Sequence, residues 1–169
     1  LEEKGAMRRV TIGLVALSLV VLSFSVSAAQ DKPWFDMENC AFCKNLLAEE
    51  GLMDHITKWE HHNVHNGSVS ITVVDKEYLE AYKRAMHNME LVAEKLKQGE
   101  KLQMCGMCDA YGQVMQMGSN WEDVESDNIF VSLWYSDNPD VVARIHAVTN
   151  TTNDELKKME EAMEAEPKE

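Results

Sequence analysis

Slid along itself by 62 residues, this chain meets its own pattern, and that self-match constrains the fold more than any other feature. Trp59-Glu60 falls on Trp121-Glu122, and Val69, Ile71 and Val73 fall on Val131, Leu133 and Tyr135. Asp75, Ala81 and Ala85 fall on Asp137, Ala143 and Ala147. An ordered series of this kind predicts two related supersecondary units rather than one irregular fold. All four cysteines sit in two Cys-x-x-Cys clips, Cys40-Ala41-Phe42-Cys43 and Cys105-Gly106-Met107-Cys108. The clips match at an offset of 65, so the first half carries three extra residues between its clip and its tryptophan.

Each half reads in the same order. The clip opens a short helix, with Cys43, Leu46 and Leu47 on one stripe behind Asn39, and Tyr111, Val114 and Met115 on the other. Gly51 and Gly118 are placed to end these helices. A hairpin follows: 55–62 against 68–74 around Asn66-Gly67, and 121–125 against 129–135 around Asp127-Asn128. Alternation at Val69, Ile71 and Val73, and at Ile129, Val131, Leu133 and Tyr135, predicts an antiparallel sheet buried on that side. Trp59 and Trp121 are expected to anchor the sheet core.

A longer helix closes each half. Leu79, Tyr82, Met86, Met89, Ala93 and Leu96 recur every three or four residues. Asn138-Pro139 starts the counterpart, with proline at the first helical position. The expected fold is α+β: two α-β-β-α units, a four-stranded antiparallel sheet, and helices mainly on one face. Phe130 and Trp134 point away from Val131 and Leu133. If no helix covers that opposite face, they make it an apolar patch and a candidate surface for a protein partner or a homodimer.

Met7-Arg8-Arg9, the apolar run 10–26 and the small residues 25–29 have the layout of a cleaved signal peptide. The run is short for a membrane span, which needs about 20 apolar residues. Leu1–Ala6 precede the natural-looking start at Met7 and are set aside. The expected division is a signal segment, 1–29, an N-terminal arm, 30–38, and one duplicated domain, 39–166, with halves 39–99 and 104–166. The destination is periplasmic or extracellular, with no membrane attachment after cleavage. The chain carries a net charge of −13, and residues 1–29 hold three basic and two acidic groups, leaving −14 on the remainder. A field of that sign excludes nucleic acid as a partner and favours cations.

Four thiols in two equal clips support three chemistries. Two thiolates from each clip make a closed tetrahedral zinc site, because two intervening residues let the backbone curl round the ion. Cys105-Gly106-Met107-Cys108 resembles the knuckle of zinc-ribbon proteins, with Gly106 permitting the tight turn. Outside the cytoplasm, the same cysteines can close as disulfides. A bridge between halves would close a loop of about 65 residues and stabilise by about 4 kcal/mol. Thirdly, Cys105 and Cys108, or Cys40 and Cys43, could cycle as a thiol-disulfide oxidoreductase. Against that stands the lack of a proline suited to a redox-enzyme loop: Pro33 precedes the domain, Pro139 opens a helix, and Pro167 lies in the tail. Covalent haem attachment is excluded, since Lys44 and Asp109 occupy the positions that need histidine.

Other soft ligands are secondary. His61, His62 and His65 cluster near the first hairpin turn, and Met104, Met107, Met115 and Met117 flank the second clip. Together with thiolates these would suit copper as a weaker alternative to zinc. As a solvated strand end and core filler they need no metal. No nucleophile elbow, phosphate-binding glycine loop or H-E-x-x-H pair is present. The sequence favours binding or interaction over catalysis.

Overall fold

The structure, a computed structural model, describes residues 32–165; the expected signal peptide, 1–29, lies outside the described residues. The chain forms α1 (Lys44–Leu47), β1 (Ile56–Val64), β2 (Gly67–Val74), α2 (Leu79–Lys97), α3 (Gly106–Gln116), β3 (Asn120–Ser126), β4 (Ile129–Tyr135) and α4 (Pro139–Ala165). Single 3-10 turns, Leu52–His55 and Lys76–Tyr78, flank the first hairpin. Pro139 opens α4 as the sequence predicts, since its fixed φ suits a first helical turn. Gly118 follows α3 at φ 90°, a left-handed cap that only glycine adopts freely. No helix among the described residues is long and apolar enough to cross a membrane.

The strands form one antiparallel sheet in the order β1-β2-β4-β3, which makes the protein α+β as expected. Each hairpin closes through two residues, His65-Asn66 and Asp127-Asn128. The first turn lies one residue earlier than Asn66-Gly67 suggests. Gly67 instead opens β2 opposite Val64 on one side and Tyr135 on the other. A Cβ there would come within 1.8 Å of the Trp134 carbonyl oxygen, so this glycine serves a close strand approach rather than the turn.

The sheet's packed side is the reverse of the expected one. On β2 the buried positions include Ser68, Thr72 and Val74, whereas Val69, Ile71 and Val73 are only half-buried. On the same side as Thr72 and Ser68, Phe130 packs against Tyr82 of α2 at 4.5 Å and Trp134 against Tyr111 of α3 at 4.7 Å. Phe130 and Trp134 are half-buried, and helices α2 and α3 cover part of the face they share. The cause is that β4 is apolar at every position except Ser132, so its alternation carries no face signal. The large aromatic rings then take the side where they bury more area. Trp121 also departs from expectation: edge strand β3 leaves it 47% exposed, stacked on Trp134 at 5.6 Å.

Each long helix reaches the hairpin of the other sequence half. Lys83 of α2 pairs with Glu125 of β3 at 2.6 Å, beside the Tyr82–Phe130 contact. On α4, His146 Nε2–H donates to the carbonyls of Val64 and Gly67, and the Asn153 amide donates to the His61 carbonyl. Two apolar clusters result. One joins Leu46, Leu52, Val74, Tyr82 and Ala85, and the other joins Ala110, Val114, Val141, Ile145 and Val148. The four cysteines stand in a third.

Candidate metal centre

Two short pieces of backbone deliver the four sulfurs. Cys40 and Cys43 lie in a series of turns that ends in the single-turn helix α1, where the Lys44 amide bonds back to the Cys40 carbonyl at 3.1 Å. Asn39 does not cap that helix; its side-chain amide bonds to Asp36 at 3.0 Å. Cys105 is the extended N-cap residue of α3 (φ −72°, ψ 171°), and Cys108 follows in its first turn. The helix macrodipole therefore favours negative charge on the second clip.

The segment before the first clip crosses the start of α3. Gly106 and Met107 donate backbone hydrogen bonds to the carbonyls of Pro33 and Trp34, both at 3.0 Å, and Ala41 donates to Gln103 at 2.8 Å. Gly106 is not left-handed. A Cβ on it would sit 3.1 Å from the Trp34 ring and 3.2 Å from Trp34 Cα. Its role is to admit the arm, which corrects the tight-turn expectation. Trp34 anchors the arm by packing beside Tyr111 and Trp134 and donating from Nε1 to Thr152 at 3.3 Å.

The clips meet. Cys43 Sγ lies 3.6 Å from Cys108 Sγ and 3.7 Å from Cys105 Sγ, and all four sulfurs lie within 4.8 Å of one another. All four cysteines are free; Cys40, Cys43 and Cys105 are buried and Cys108 is partly exposed. A tetrahedral ion with sulfur bonds of 2.3 Å has sulfur–sulfur edges of about 3.8 Å, close to the observed cross-clip spacings. Met37, Phe42 and Met107 complete a largely apolar wall.

Packed thiols without a counter-ion act on one another. Hydrogen bonds, first from Cys105 and then from Cys108, hold Cys40 well below the usual thiol range. Cys105 is lowered to about 6, first by Cys108. The backbone N–H of Cys43 aids Cys40, and that of Cys108 aids Cys105, so each clip directs an amide at its leading sulfur. Cys43 and Cys108 are pushed up, chiefly by contact with Cys105. The two lowered thiols, one per clip, are the ones that favour the charged form a cation would pair with.

The other expected ligands do not converge. His61 is 6% exposed, on the packed side of the sheet opposite Ser70, with its Nε2 unpartnered. Burial lowers its pKa to about 4, with a smaller contribution from His62. His62 is exposed and bonds Glu60 at 3.3 Å, while His65 lies in the hairpin turn beside a groove of about 510 Å³ shared with Asp137 and His146. The period-two geometry of a strand sends neighbours His61 and His62 to opposite sides. Met107 touches the cysteine cluster, but Met115 and Met117 are exposed. A second ligand-like group escaped the sequence reading: His55 Nδ1 meets Asp75 Oδ2 at 2.8 Å, with Glu77 nearby and the His55 ring stacked on Tyr78. The spacing of 20 residues between His55 and Asp75 gives no motif to find.

The fold and site define a class: an α+β protein with one buried four-cysteine centre compatible with a metal ion. Comparison with known proteins returns no match, whether against protein-family models, curated proteins or solved structures.

Proposed function

We propose that the four cysteines bind one zinc ion as a structural clasp in an exported, acidic binding or interaction protein. The observation that carries this is the pair of cross-clip Sγ distances, 3.6 and 3.7 Å, close to the edges of a zinc tetrathiolate. Cys40, Cys43, Cys105 and Cys108 would be the ligands. With no fifth donor grouped with the four sulfurs among the described residues, zinc would supply charge neutralisation and cross-linking, not a Lewis-acid site. We prefer zinc to copper because the exposed thioethers of Met115 and Met117 do not join the four sulfurs.

We read the chain as a duplication whose equivalent corners make this one site. Supporting that, Ser70 pairs with Ser132, its counterpart at offset 62, and both two-residue turns fall at the same offset. Export rests on the sequence pattern of residues 1–29 together with the acidic remainder.

Cobalt substitution tests the site. One cobalt(II) per chain with the intense visible bands of a tetrahedral thiolate complex is expected, abolished in Cys105→Ser. A weak octahedral spectrum, or uptake unaffected by that substitution, would refute it.

A further inference from the structure

We propose that Cys108 is the point at which a peroxide oxidises this centre, and that oxidation yields a Cys43–Cys108 disulfide with release of the metal. Metal release rests on the zinc assignment; the choice of sulfurs rests on geometry alone.

Access singles out the first sulfur. Cys40, Cys43 and Cys105 are 0%, 3% and 2% exposed, and Cys108 alone reaches solvent. A close contact between the clips gives the second. Cys43 is hydrogen-bonded to Cys108 at 3.6 Å. Its other contact, Cys105 at 3.7 Å, joins two buried groups that an oxidant reaches later.

The chemistry balances with hydrogen peroxide as the oxidant. An electron pair on Cys108 Sγ attacks one peroxide oxygen, the O–O bond breaks, and hydroxide leaves as Cys108 becomes a sulfenic acid. Cys43 Sγ, free of its proton as a metal ligand or by losing it to solvent, then attacks the Cys108 sulfur; the S–S bond forms, the S–O bond breaks, and a second hydroxide leaves. Two electrons pass from sulfur to peroxide, and two protons from solvent complete two waters. Cys40 and Cys105 remain, one thiolate per clip, too few to hold a closed tetrahedral ion.

The product differs in consequence from a bridge within either clip. A Cys43–Cys108 bond ties the arm-bearing first clip to α3, the two pieces a bound metal would tie. Oxidation would exchange a removable clasp for a covalent one and liberate the ion, without undocking the arm.

The test treats zinc-loaded full-length chain with one equivalent of hydrogen peroxide. A chromophoric chelator reads released zinc, and alkylation followed by non-reducing peptide mass mapping reads the bonds. Expected are one zinc per peroxide, a dominant Cys43–Cys108 peptide, and Cys40 and Cys105 recovered alkylated. Cys108→His, which keeps four donors, should release zinc at least tenfold more slowly. Dominance of Cys40–Cys43, Cys105–Cys108 or Cys43–Cys105 would overturn the proposal. If the chain takes up no zinc, the metal assignment fails separately, and mapping the reduced chain after peroxide still decides the pairing.

Discussion

His61 shows how a single side chain can be placed by pattern and misjudged in role. Its position in a histidine-rich stretch suggested a solvated strand end or a ligand, yet strand alternation carries it under α4 while His62 turns to water. Burial holds its native pKa at about 4, below the unperturbed 6.5. A histidine depressed on folding binds its proton more readily in the unfolded state. Its contribution is therefore complete above pH 6.5 and is lost as pH falls from 6.5 towards 4, by about 3 kcal/mol at most. Urea midpoints at pH 7 and pH 4.5 check this. The wild type should lose more stability over that interval than His61→Leu, and equal losses would remove His61 as the cause.

Phe130 carries the companion lesson. Both sides of β4 are apolar, so residue type could not say which side packs; the answer came from the aromatic partner on α2. Phe130 is half-buried, so Phe130→Ala should cost about 2 kcal/mol, below the range for a fully buried phenylalanine. Val124→Thr, at a position 53% exposed, should cost under about 0.5 kcal/mol. Comparable losses in chemical denaturation would mean the sheet packs through its other side.

Among elements, the helices and hairpins were legible wherever local chemistry acts alone. Pro139, Gly118, the Leu79–Leu96 stripe and the turn at Asp127-Asn128 each appear where the sequence places them. The turn at His65-Asn66 was misplaced because a glycine beside asparagine signals a turn, and nothing local reveals that β4 will lie against it. Gly67→Ala tests that tertiary demand. Its Cβ would collide with fixed backbone at 1.8 Å, so a loss of about 3 kcal/mol or more is expected in urea unfolding. Gly118→Ala, strained only by its φ of 90°, should lose about 1 kcal/mol. A Gly67→Ala chain as stable as wild type would contradict the β2–β4 register.

At the scale of the whole molecule, the cysteine centre was legible as a possibility and not as a location. Two clips 61 residues apart announce four ligands, but only the folded chain shows that the arm crosses the start of α3 and brings the sulfurs within 4.8 Å. The fit at Gly106 is also tertiary, since a Cβ there would press on Trp34 at 3.1 Å. If the metal fastens this crossing, its removal should loosen the arm first and leave the sheet intact. Hydrogen exchange with and without a chelator would show this as faster exchange at Ala41, Gly106 and Met107, with β2 and β4 amides unchanged. Uniform protection in both states would deny the clasp its role.

The most direct measurement is elemental analysis paired with a thiol count on chain purified from an oxidising compartment. One zinc per chain, with four thiols that react only after denaturation in chelator, is the expected result. No metal and no free thiols would contradict it.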